Sequence, residues 1–255
     1  MKLSTSSLSP FFLRADIDAA IIDLDGTMVD TMGDFVLSIN LMLGEVLPGA
    51  LPQAPQLPRA VVERMVGKGS ENLIKSVLEH VAAQYGRALF AIKPVACESF
   101  LQNDTLLDAA FASYQKHYLA VNGQQAQVYA GVVEGLQALQ VSGLKLVCLT
   151  NKPLEFARTL LRLKGLDGFF IHVFGGDSFE HKKPHPLPLL KACEALGTMP
   201  SRTLMIGDSS NDAQAARAAG CPVILLTYGY NHGEPVSGVD ADGFIDSLAA
   251  LRLQT

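Results

Sequence analysis

Four short apolar runs recur along the chain, and each ends at a polar or glycine residue. They occupy residues 19–22, 144–149, 203–206 and 223–226. Near-continuous apolar runs of this length are typical of strands that are buried on both faces of a parallel sheet. Helical periodicity lies between the later runs, in segments that end at Gly165, Gly197 and Gly220. This alternation predicts an α/β fold with a doubly wound parallel sheet.

Residues 31–127 carry a different pattern. Apolar side chains recur there in three stripes at helical spacing, and no run favours a strand. Four prolines between positions 48 and 58 separate the first stripe from the rest and indicate a loop. We therefore expect an all-helical unit at 31–127 inserted into an α/β core of residues 17–30 and 128–255, after an N-terminal tail at 1–16.

Length and charge are consistent with this organisation. The chain has 255 residues, and the core left without insertion and tail has the size of one ordinary domain. The 20 lysines and arginines against 25 aspartates and glutamates give a net charge of −5. This balance lacks the basic footprint of a protein that binds nucleic acid or an anionic membrane, although a locally positive site could still bind an anionic substrate.

The predicted compartment is the cytoplasm. The apolar runs are much shorter than the ~18 residues of a membrane span, and the N-terminal segment lacks the apolar stretch of a signal peptide. The four cysteines form no C-x-x-C pair, which favours a reducing environment over a disulfide framework or a zinc site.

Acidic residues follow directly after two of the apolar runs. Asp23 and Asp25 lie in the segment Asp-Leu-Asp-Gly-Thr, and Asp208 and Asp212 lie in Gly-Asp-Ser-Ser-Asn-Asp. In open α/β sheets ligands bind at the carboxyl ends of the strands. An Asp-Gly pair alone would indicate a turn, but a carboxylate that ends an apolar strand is costly unless a cation or hydrogen-bond donors meet it. Two further acids at a later strand end favour a site for a hard cation.

Two other polar segments follow the same pattern. Thr150 and Asn151 follow the second apolar run, and Lys183 precedes a proline in Lys-Lys-Pro-His-Pro. Thr and Asn are common helix caps, and a capped helix N-terminus also attracts anions. Lys183 alone is weak evidence for a functional site, because lysines are usually exposed to solvent.

Together these segments resemble the haloacid dehalogenase superfamily, specifically its phosphatase branch. D-x-D-G-T, the strand-end Thr-Asn, Lys-Pro and G-D-S-x-N-D occur in the order of that family, each after an expected strand. The resemblance covers about residues 19–30 and 128–250. Four segments are also similar to the bacterial phosphoglycolate phosphatases: 150–153, 175–177, 183–186 and 227–230.

The resemblance implies a Rossmann-like core and Mg²⁺-dependent phosphomonoesterase chemistry. Asp23 would be the nucleophile that forms an aspartyl-phosphate. Asp25 would act as general acid and then as general base. The carboxylates of Asp23 and Asp208, with the backbone carbonyl of Asp25, would hold Mg²⁺.

The resemblance also assigns supporting roles. Three side chains would bind the phosphoryl oxygens: Thr150, Asn151 and Lys183. Thr27 would orient Asp25, and Asp212 would support Lys183 or the metal-bound waters. The helical unit would be the cap that selects the leaving group.

The implied substrate is 2-phosphoglycolate. Lys68, between Gly67 and Gly69, would meet its carboxylate, although a simple turn between helices explains this segment equally well. The alternative is the same chemistry on another small ester, such as a sugar phosphate or N-acetylmuramic acid 6-phosphate. A phosphomutase would use the same acids, whereas phosphonate-cleaving relatives use a cap lysine and generally lack D-x-D-G-T.

Two other classes of protein fit less well. A phosphorylated receiver domain has about half this length and accepts phosphate on a middle strand, whereas Asp23 follows the first strand. A catalytically silent binding protein is disfavoured because no position of the four motifs is degraded. The sequence predicts no particular oligomeric state.

Overall fold

The structure is a computed structural model. It describes residues 11–13, 16–47, 54–92 and 104–253. Most of the expected tail, two prolines of the predicted loop (Pro48 and Pro52) and Cys97 lie outside these residues. The chain divides into two compact units, one of Thr31–Gln127 and one of Met1–Asp30 with Val128–Thr255. Within the described residues, no helix combines the length and hydropathy needed to span a bilayer.

Short strands alternate with helices through most of the second unit. The strands are β1 (Phe11–Leu13), β2 (Ala19–Ile22), β3 (Val29–Asp30), β4 (Gln127–Val128), β5 (Lys145–Leu149), β6 (His172–Phe174), β7 (Thr203–Gly207), β8 (Val223–Leu226), β9 (Gly243–Ile245) and β10 (Leu251–Leu253). The helices of the unit Thr31–Gln127 are α1 (Met32–Val46), α2 (Arg59–Val62), α3 (Ser70–Ile92) and α4 (Asp104–Val121). Those of the other unit are α5 (Val132–Val141), α6 (Leu154–Leu163), α7 (Leu187–Leu196) and α8 (Ser210–Ala219).

A six-stranded sheet forms the centre of this unit, in the order β6-β5-β2-β7-β8-β9. Every neighbouring pair is parallel. The doubly wound α/β fold predicted from the apolar runs is therefore confirmed. β3 with β4, and β1 with β10, form two separate two-stranded sheets.

The central strands are buried on both faces, which explains why their sequences are almost wholly apolar. Alternate side chains of β2, β5, β7 and β8 pack with α7 and α8 in one hydrophobic cluster. The intervening side chains, such as Ala20 and Ile22 of β2, are buried as well. A strand with two buried faces has no polar side, so its sequence shows no alternation.

β2 lies at the switch point of the sheet. From β2 the chain adds β5 and then β6 on one side, and it later returns to add β7, β8 and β9 on the other. The loops that follow β2, β5 and β7 therefore meet at one edge, the position at which open α/β sheets bind ligands.

Six short strands of the described residues are absent from the sequence prediction: β1, β3, β4, β6, β9 and β10. β6 and β9 are edge strands of three residues, too short to give a clear apolar run. β1 lies in the segment expected as an N-terminal tail and pairs in parallel with β10.

The helical unit has its own core. Phe35 of α1 stacks on Tyr118 of α4 with ring centroids 5.4 Å apart. Asp34, fully buried near the start of α1, accepts hydrogen bonds of 2.7 Å from the backbone N–H groups of Gly123 and Gln125. These contacts join the first helix of the unit to the end of the last.

Candidate active site

Asp23 stands at the carboxyl end of β2. Its backbone N–H continues the ladder to Ile206 (2.9 Å), so the strand fixes the position of its Cα. Its Oδ1 accepts from the N–H of Leu24 (2.7 Å) and lies 3.0 Å from Nζ of Lys183. Within the described residues no hydrogen bond reaches the second oxygen, Oδ2. Burial raises the pKa of Asp23 to about 7; Lys183 works against this rise, and Asp212 adds to it.

Three carboxylates converge at this edge. Asp23, Asp208 and Asp212 offer oxygens that all lie within 4.8 Å of one another. Burial raises the pKa of Asp208, and the neighbouring charges of Asp212 and Asp23 raise it further. The cluster is therefore costly to ionise fully unless a cation joins the ammonium of Lys183 in balancing its charge. Its donor set of carboxylate oxygens is that of a site for a hard divalent cation such as Mg²⁺.

Asp208, directly after β7, is held by both of its oxygens. Oδ1 accepts from the hydroxyl of Thr27 (2.6 Å) and Oδ2 from the backbone N–H of Tyr230 (2.7 Å). The hydroxyl of Thr27 thus donates to Asp208 and not to Asp25, and its expected role in orienting Asp25 stays a prediction. Gly26 and Gly229 lie so close to this carboxylate that a Cβ on either would collide with it.

Lys183 is a buried lysine whose ammonium contacts three acceptors. Its Nζ donates to the carbonyl of Leu149 (3.0 Å) and to Oδ1 of Asp212 (2.6 Å), and it contacts Asp23. Only 2% of its side chain is exposed. Burial lowers the pKa of Lys183, but Asp212 and Asp23 outweigh this effect and hold the pKa above its ordinary value. The lysine is therefore a fixed positive charge beside Asp23.

Asp212, in the first turn of α8, is surrounded by donors. Oδ1 faces Lys183, and Oδ2 accepts from the N–H groups of Asp208 (3.2 Å) and Ser209 (3.1 Å) and from the Ser209 hydroxyl (2.8 Å). A carboxylate with this many donors is suited to organise its neighbours. The structure thus places Asp212 against Lys183, which corresponds to one of the two supporting roles that the resemblance implies.

Asn151 and Thr150 follow β5, but their hydrogen bonds differ from those of helix caps. The side chain of Asn151 bridges the backbone of Lys183: Oδ1 accepts from its N–H (3.0 Å) and Nδ2 donates to its carbonyl (2.8 Å). The Thr150 hydroxyl accepts from the N–H of Lys152 (3.2 Å). Helix α6 begins later, at Leu154, whose N–H donates to Oδ1 of Asp177 (2.8 Å).

Asp25 pairs with a lysine to which the sequence analysis gave no role. Nζ of Lys152 lies 2.9 Å from Oδ1 and 3.2 Å from Oδ2 of Asp25. The lysine side chain is 2% exposed and the aspartate side chain 12%. Lys152 lies in segment 150–153, which is similar to relatives, but its residue type and spacing alone do not predict a buried contact with Asp25.

Two tyrosines after β8, in the segment 227–230 that is similar to relatives, make contacts that the sequence does not predict. The Tyr228 hydroxyl donates to the carbonyl of Thr27 (2.8 Å), and the Tyr230 hydroxyl donates to Oδ1 of Asp30 (2.6 Å). They join the loop after β8 to the segment that follows Asp25. Burial raises the pKa of both tyrosines, so they remain neutral donors.

Lys68 belongs to the helical unit. It is exposed and lies between Gly67 and Gly69, whose φ angles of 113° and 90° require glycine. The segment is a tight turn that ends where α3 begins at Ser70.

Comparisons with known proteins identify the family of the chain. A family model described as haloacid dehalogenase-like hydrolase matches residues 17–220. The chain is 41% identical over 238 residues to the phosphoglycolate phosphatase of Thiobacillus denitrificans, which covers 93% of this chain and 95% of that protein. It is 39% identical over 232 residues to the phosphoglycolate phosphatase of Nitrosospira multiformis, covering 91% and 92%.

A solved structure is similar over the same extent. The crystal structure of a protein from Haemophilus somnus, described as a predicted phosphoglycolate phosphatase, gives a TM-score of 0.80 at 31% identity and covers 92% of this chain and 96% of that one. The family model and these relatives span most of the chain, so the chain belongs to the haloacid dehalogenase-like hydrolases and is a phosphatase.

Proposed function

We propose that this phosphatase hydrolyses 2-phosphoglycolate to glycolate and phosphate, with Mg²⁺, through an aspartyl-phosphate on Asp23. The observation that carries the proposal is the environment of that side chain. Lys183 and the N–H of Leu24 hold one oxygen of Asp23, while no donor of the described residues competes for the other. A nucleophile needs such a free and oriented oxygen. The names of the relatives support the choice of substrate.

The residues of the carboxylate cluster fit Mg²⁺. Asp23 and Asp208 would hold the ion with their carboxylates and Asp25 with its backbone carbonyl. Asp212 would stay outside this set, because Lys183, Ser209 and the Asp208 N–H already occupy its oxygens. When bound, the ion would offset the repulsion between the anionic nucleophile and the anionic phosphate.

In the first step Asp23 attacks phosphorus. A bond forms between its carboxylate oxygen and phosphorus while the bond from phosphorus to the glycolate oxygen breaks. Asp25, two residues further on, gives a proton to that oxygen, because an alkoxide is a poor leaving group. Lys183 stays beside Asp23 and stabilises the negative charge that develops on the phosphoryl oxygens.

In the second step water releases the phosphate. Asp25, now a carboxylate, takes a proton from the water as it attacks phosphorus. The bond between phosphorus and Asp23 breaks, and inorganic phosphate leaves. The Thr150 hydroxyl would donate a hydrogen bond to a phosphoryl oxygen in both steps, since its oxygen already accepts from the N–H of Lys152.

Asn151 would act on the phosphate mainly through Lys183. Its side chain bridges the N–H and the carbonyl of that lysine, which fixes the backbone from which the ammonium extends. This differs from the direct contact with phosphoryl oxygens that the resemblance implies.

The helical unit is proposed to choose the leaving group, as the inserted cap of this family. Lys68 is the candidate to meet the carboxylate of glycolate because its ammonium is exposed. Lys68→Ala should raise KM for 2-phosphoglycolate and spare p-nitrophenyl phosphate, which has no carboxylate. Equal effects on both esters would contradict this role.

The test of the nucleophile is Asp23→Asn, assayed with Mg²⁺ on 2-phosphoglycolate and p-nitrophenyl phosphate. We expect kcat to fall about 10⁴-fold or more on both, as for removal of other covalent nucleophiles. Asp240→Asn is the matched control, since it makes the same change in an exposed acid that pairs with Arg217. Near-wild-type turnover in Asp23→Asn would refute the mechanism.

The test of the substrate is a panel of small phosphate esters compared by kcat/KM. The panel includes sugar phosphates and N-acetylmuramic acid 6-phosphate. 2-Phosphoglycolate should exceed the others by at least about tenfold. A sugar phosphate that exceeded it would replace it as the substrate and leave the chemistry in place.

A further inference from the structure

We propose that Lys152 is a positioning residue that holds the carboxylate of Asp25 in the orientation its two proton transfers require. The ammonium of Lys152 contacts both oxygens of that carboxylate, at 2.9 and 3.2 Å. The inference rests on the proposed function, since it concerns the acid and base of the same site.

The burial of this pair is the first argument. Lysine is almost never fully buried unless it is paired, because removing its ammonium from water is costly. The side chain of Lys152 is 2% exposed, and the carboxylate it contacts is that of Asp25. An ammonium facing both oxygens restricts rotation of the carboxylate about its last bond. Without it, an aspartate in a loop would sample several rotamers.

The backbone of Lys152 is itself fixed. Its N–H donates to the Thr150 hydroxyl (3.2 Å), and its carbonyl accepts from the N–H of Gly176 (2.8 Å). Gly176 has no room for a side chain, because a Cβ there would collide with the carbonyl of Asn151. The loop after β5 thus presents the lysine from a rigid support, as precise positioning of a functional group requires.

The two buried lysines of the site contact different carboxylates of the D-x-D segment. Lys183 contacts Asp23 and Asp212, whereas Lys152 contacts Asp25. Lys183 has carbonyl and carboxylate acceptors of its own and does not substitute for Lys152. Because Lys183 and the N–H of Leu24 hold Asp23, we expect a change at position 152 to affect the acid and base, Asp25, more than the nucleophile.

This division predicts an effect on individual steps. Release of p-nitrophenolate needs no proton, since it is a good leaving group, whereas release of the glycolate alkoxide does. Hydrolysis of the aspartyl-phosphate needs Asp25 with either ester. Loss of Lys152 should slow both steps with 2-phosphoglycolate but only the second step with p-nitrophenyl phosphate.

The experiment is rapid-mixing kinetics on Lys152→Met, which keeps the length of the side chain and removes its charge. We expect steady-state kcat to fall about 10- to 100-fold on both esters, a part of the effect of general acid–base catalysis, while KM stays within about twofold. With p-nitrophenyl phosphate, p-nitrophenol should appear in a burst of about one per site at the wild-type rate of phosphorylation. With 2-phosphoglycolate the burst of glycolate should be slowed.

Lys152→Arg restores a cation and should recover part of the rate, and it carries the test if Lys152→Met does not fold. Lys191→Met is the matched control, because Lys191 is an exposed lysine of α7 that pairs with Glu194; it should leave both rates unchanged. A large rise in KM with kcat preserved would overturn the inference in favour of direct substrate binding by Lys152.

Unchanged kinetics in Lys152→Met would also overturn the inference. An arginine variant that folds but recovers no more rate than the methionine variant would do the same. A loss of burst amplitude on both esters would indicate a structural role and contradict positioning. None of these outcomes touches the proposed function, because Asp23→Asn tests its nucleophile and the ester panel tests its substrate.

Discussion

The hydroxyl of Thr27 donates a 2.6 Å hydrogen bond to Oδ1 of Asp208, across 181 positions of the sequence. It joins the loop after β2 to the loop after β7, while the N–H of Tyr230 holds the other oxygen at 2.7 Å. Asp208 therefore has a fixed orientation in the protein itself. A proposed metal ligand held in this way loses little conformational freedom when a cation binds.

The first prediction concerns this hydrogen bond. Thr27→Val keeps the shape of the side chain and removes its hydroxyl, so Asp208 loses one of its two donors. We expect the Mg²⁺ concentration for half-maximal activity to rise about 10- to 100-fold, as for other residues that support metal ligands. Titration of activity with Mg²⁺ measures the change.

Thr27→Ser is the control for this prediction, since it keeps the hydroxyl and should stay near the wild type. Calorimetric titration of Mg²⁺ in the absence of substrate gives an independent value. A Mg²⁺ requirement unchanged in Thr27→Val would show that the hydrogen bond does not prepare Asp208 for the ion.

The second prediction concerns the turn after Asp25. Gly26 has a φ of 84°, and a Cβ there would collide with the carboxylate of Asp208. Gly220 has a similar φ of 79° with no atom within 4 Å of the same position. Gly220→Ala should therefore cost only the backbone strain, about 1–2 kcal/mol.

Gly26→Ala should cost about 1–3 kcal/mol more than Gly220→Ala, because a neighbouring group must move as well. It should also weaken the response to Mg²⁺, which Gly220→Ala should leave intact. Urea unfolding and Mg²⁺ titration of both variants measure the two effects. Equal losses of stability would mean that the contact with Asp208 relaxes without cost.

The sequence predicts those parts of the fold that depend on local pattern. β2 and β8 begin and end at the predicted residues, because both faces of each strand are buried and every residue is apolar. The edge strands β6 and β9 lack this signal. Their pairing depends on the neighbouring strand, which local sequence does not contain.

The candidate site shows the same limit. The strand-end positions of Asp23 and Asp208 follow from the apolar runs before them. The partner of Thr27 and the burial of Lys152 depend on which loops meet at the switch point, and on the register of the strands that carry those loops. Thr27 lies two residues from Asp25, yet its hydroxyl reaches a residue of another strand end.

The third prediction concerns pH and the helical unit. Glu45 accepts from Lys116 (2.8 Å) and Ser113 (2.9 Å) and contacts Nε2 of His117 (2.7 Å). These bonds, with that of Lys116 the largest contribution, lower the pKa of Glu45 to about 2 from 4.5. A carboxyl with a lowered pKa in the folded state stabilises the protein above its ordinary pKa and loses that effect as the pH falls.

Glu45→Gln should therefore be less stable than the wild type at pH 7, with the difference shrinking between pH 4.5 and about 2. Urea midpoints at pH 7, 5, 4 and 3 measure this difference. Because the ion pair between Glu45 and Lys116 is exposed, added salt should reduce this difference in stability. Glu79→Gln, an exposed acid of α3, is the control; a difference that stayed constant as the pH falls would contradict the role of Glu45.

The last prediction separates stability from chemistry at Asn151. Asn40 offers a matched control, because its side chain bridges the backbone of Leu57 with Oδ1 accepting (2.8 Å) and Nδ2 donating (3.2 Å), just as Asn151 bridges Lys183. Replacing either asparagine by Asp turns the donor into an acceptor that faces a carbonyl, at a cost of about 1–3 kcal/mol of unfolding free energy.

Only Asn151→Asp should also lower kcat/KM, by about 100-fold, because it displaces the lysine beside Asp23. Urea unfolding and steady-state kinetics of both variants test this, and an equal loss of activity in Asn40→Asp would reduce the effect at Asn151 to instability.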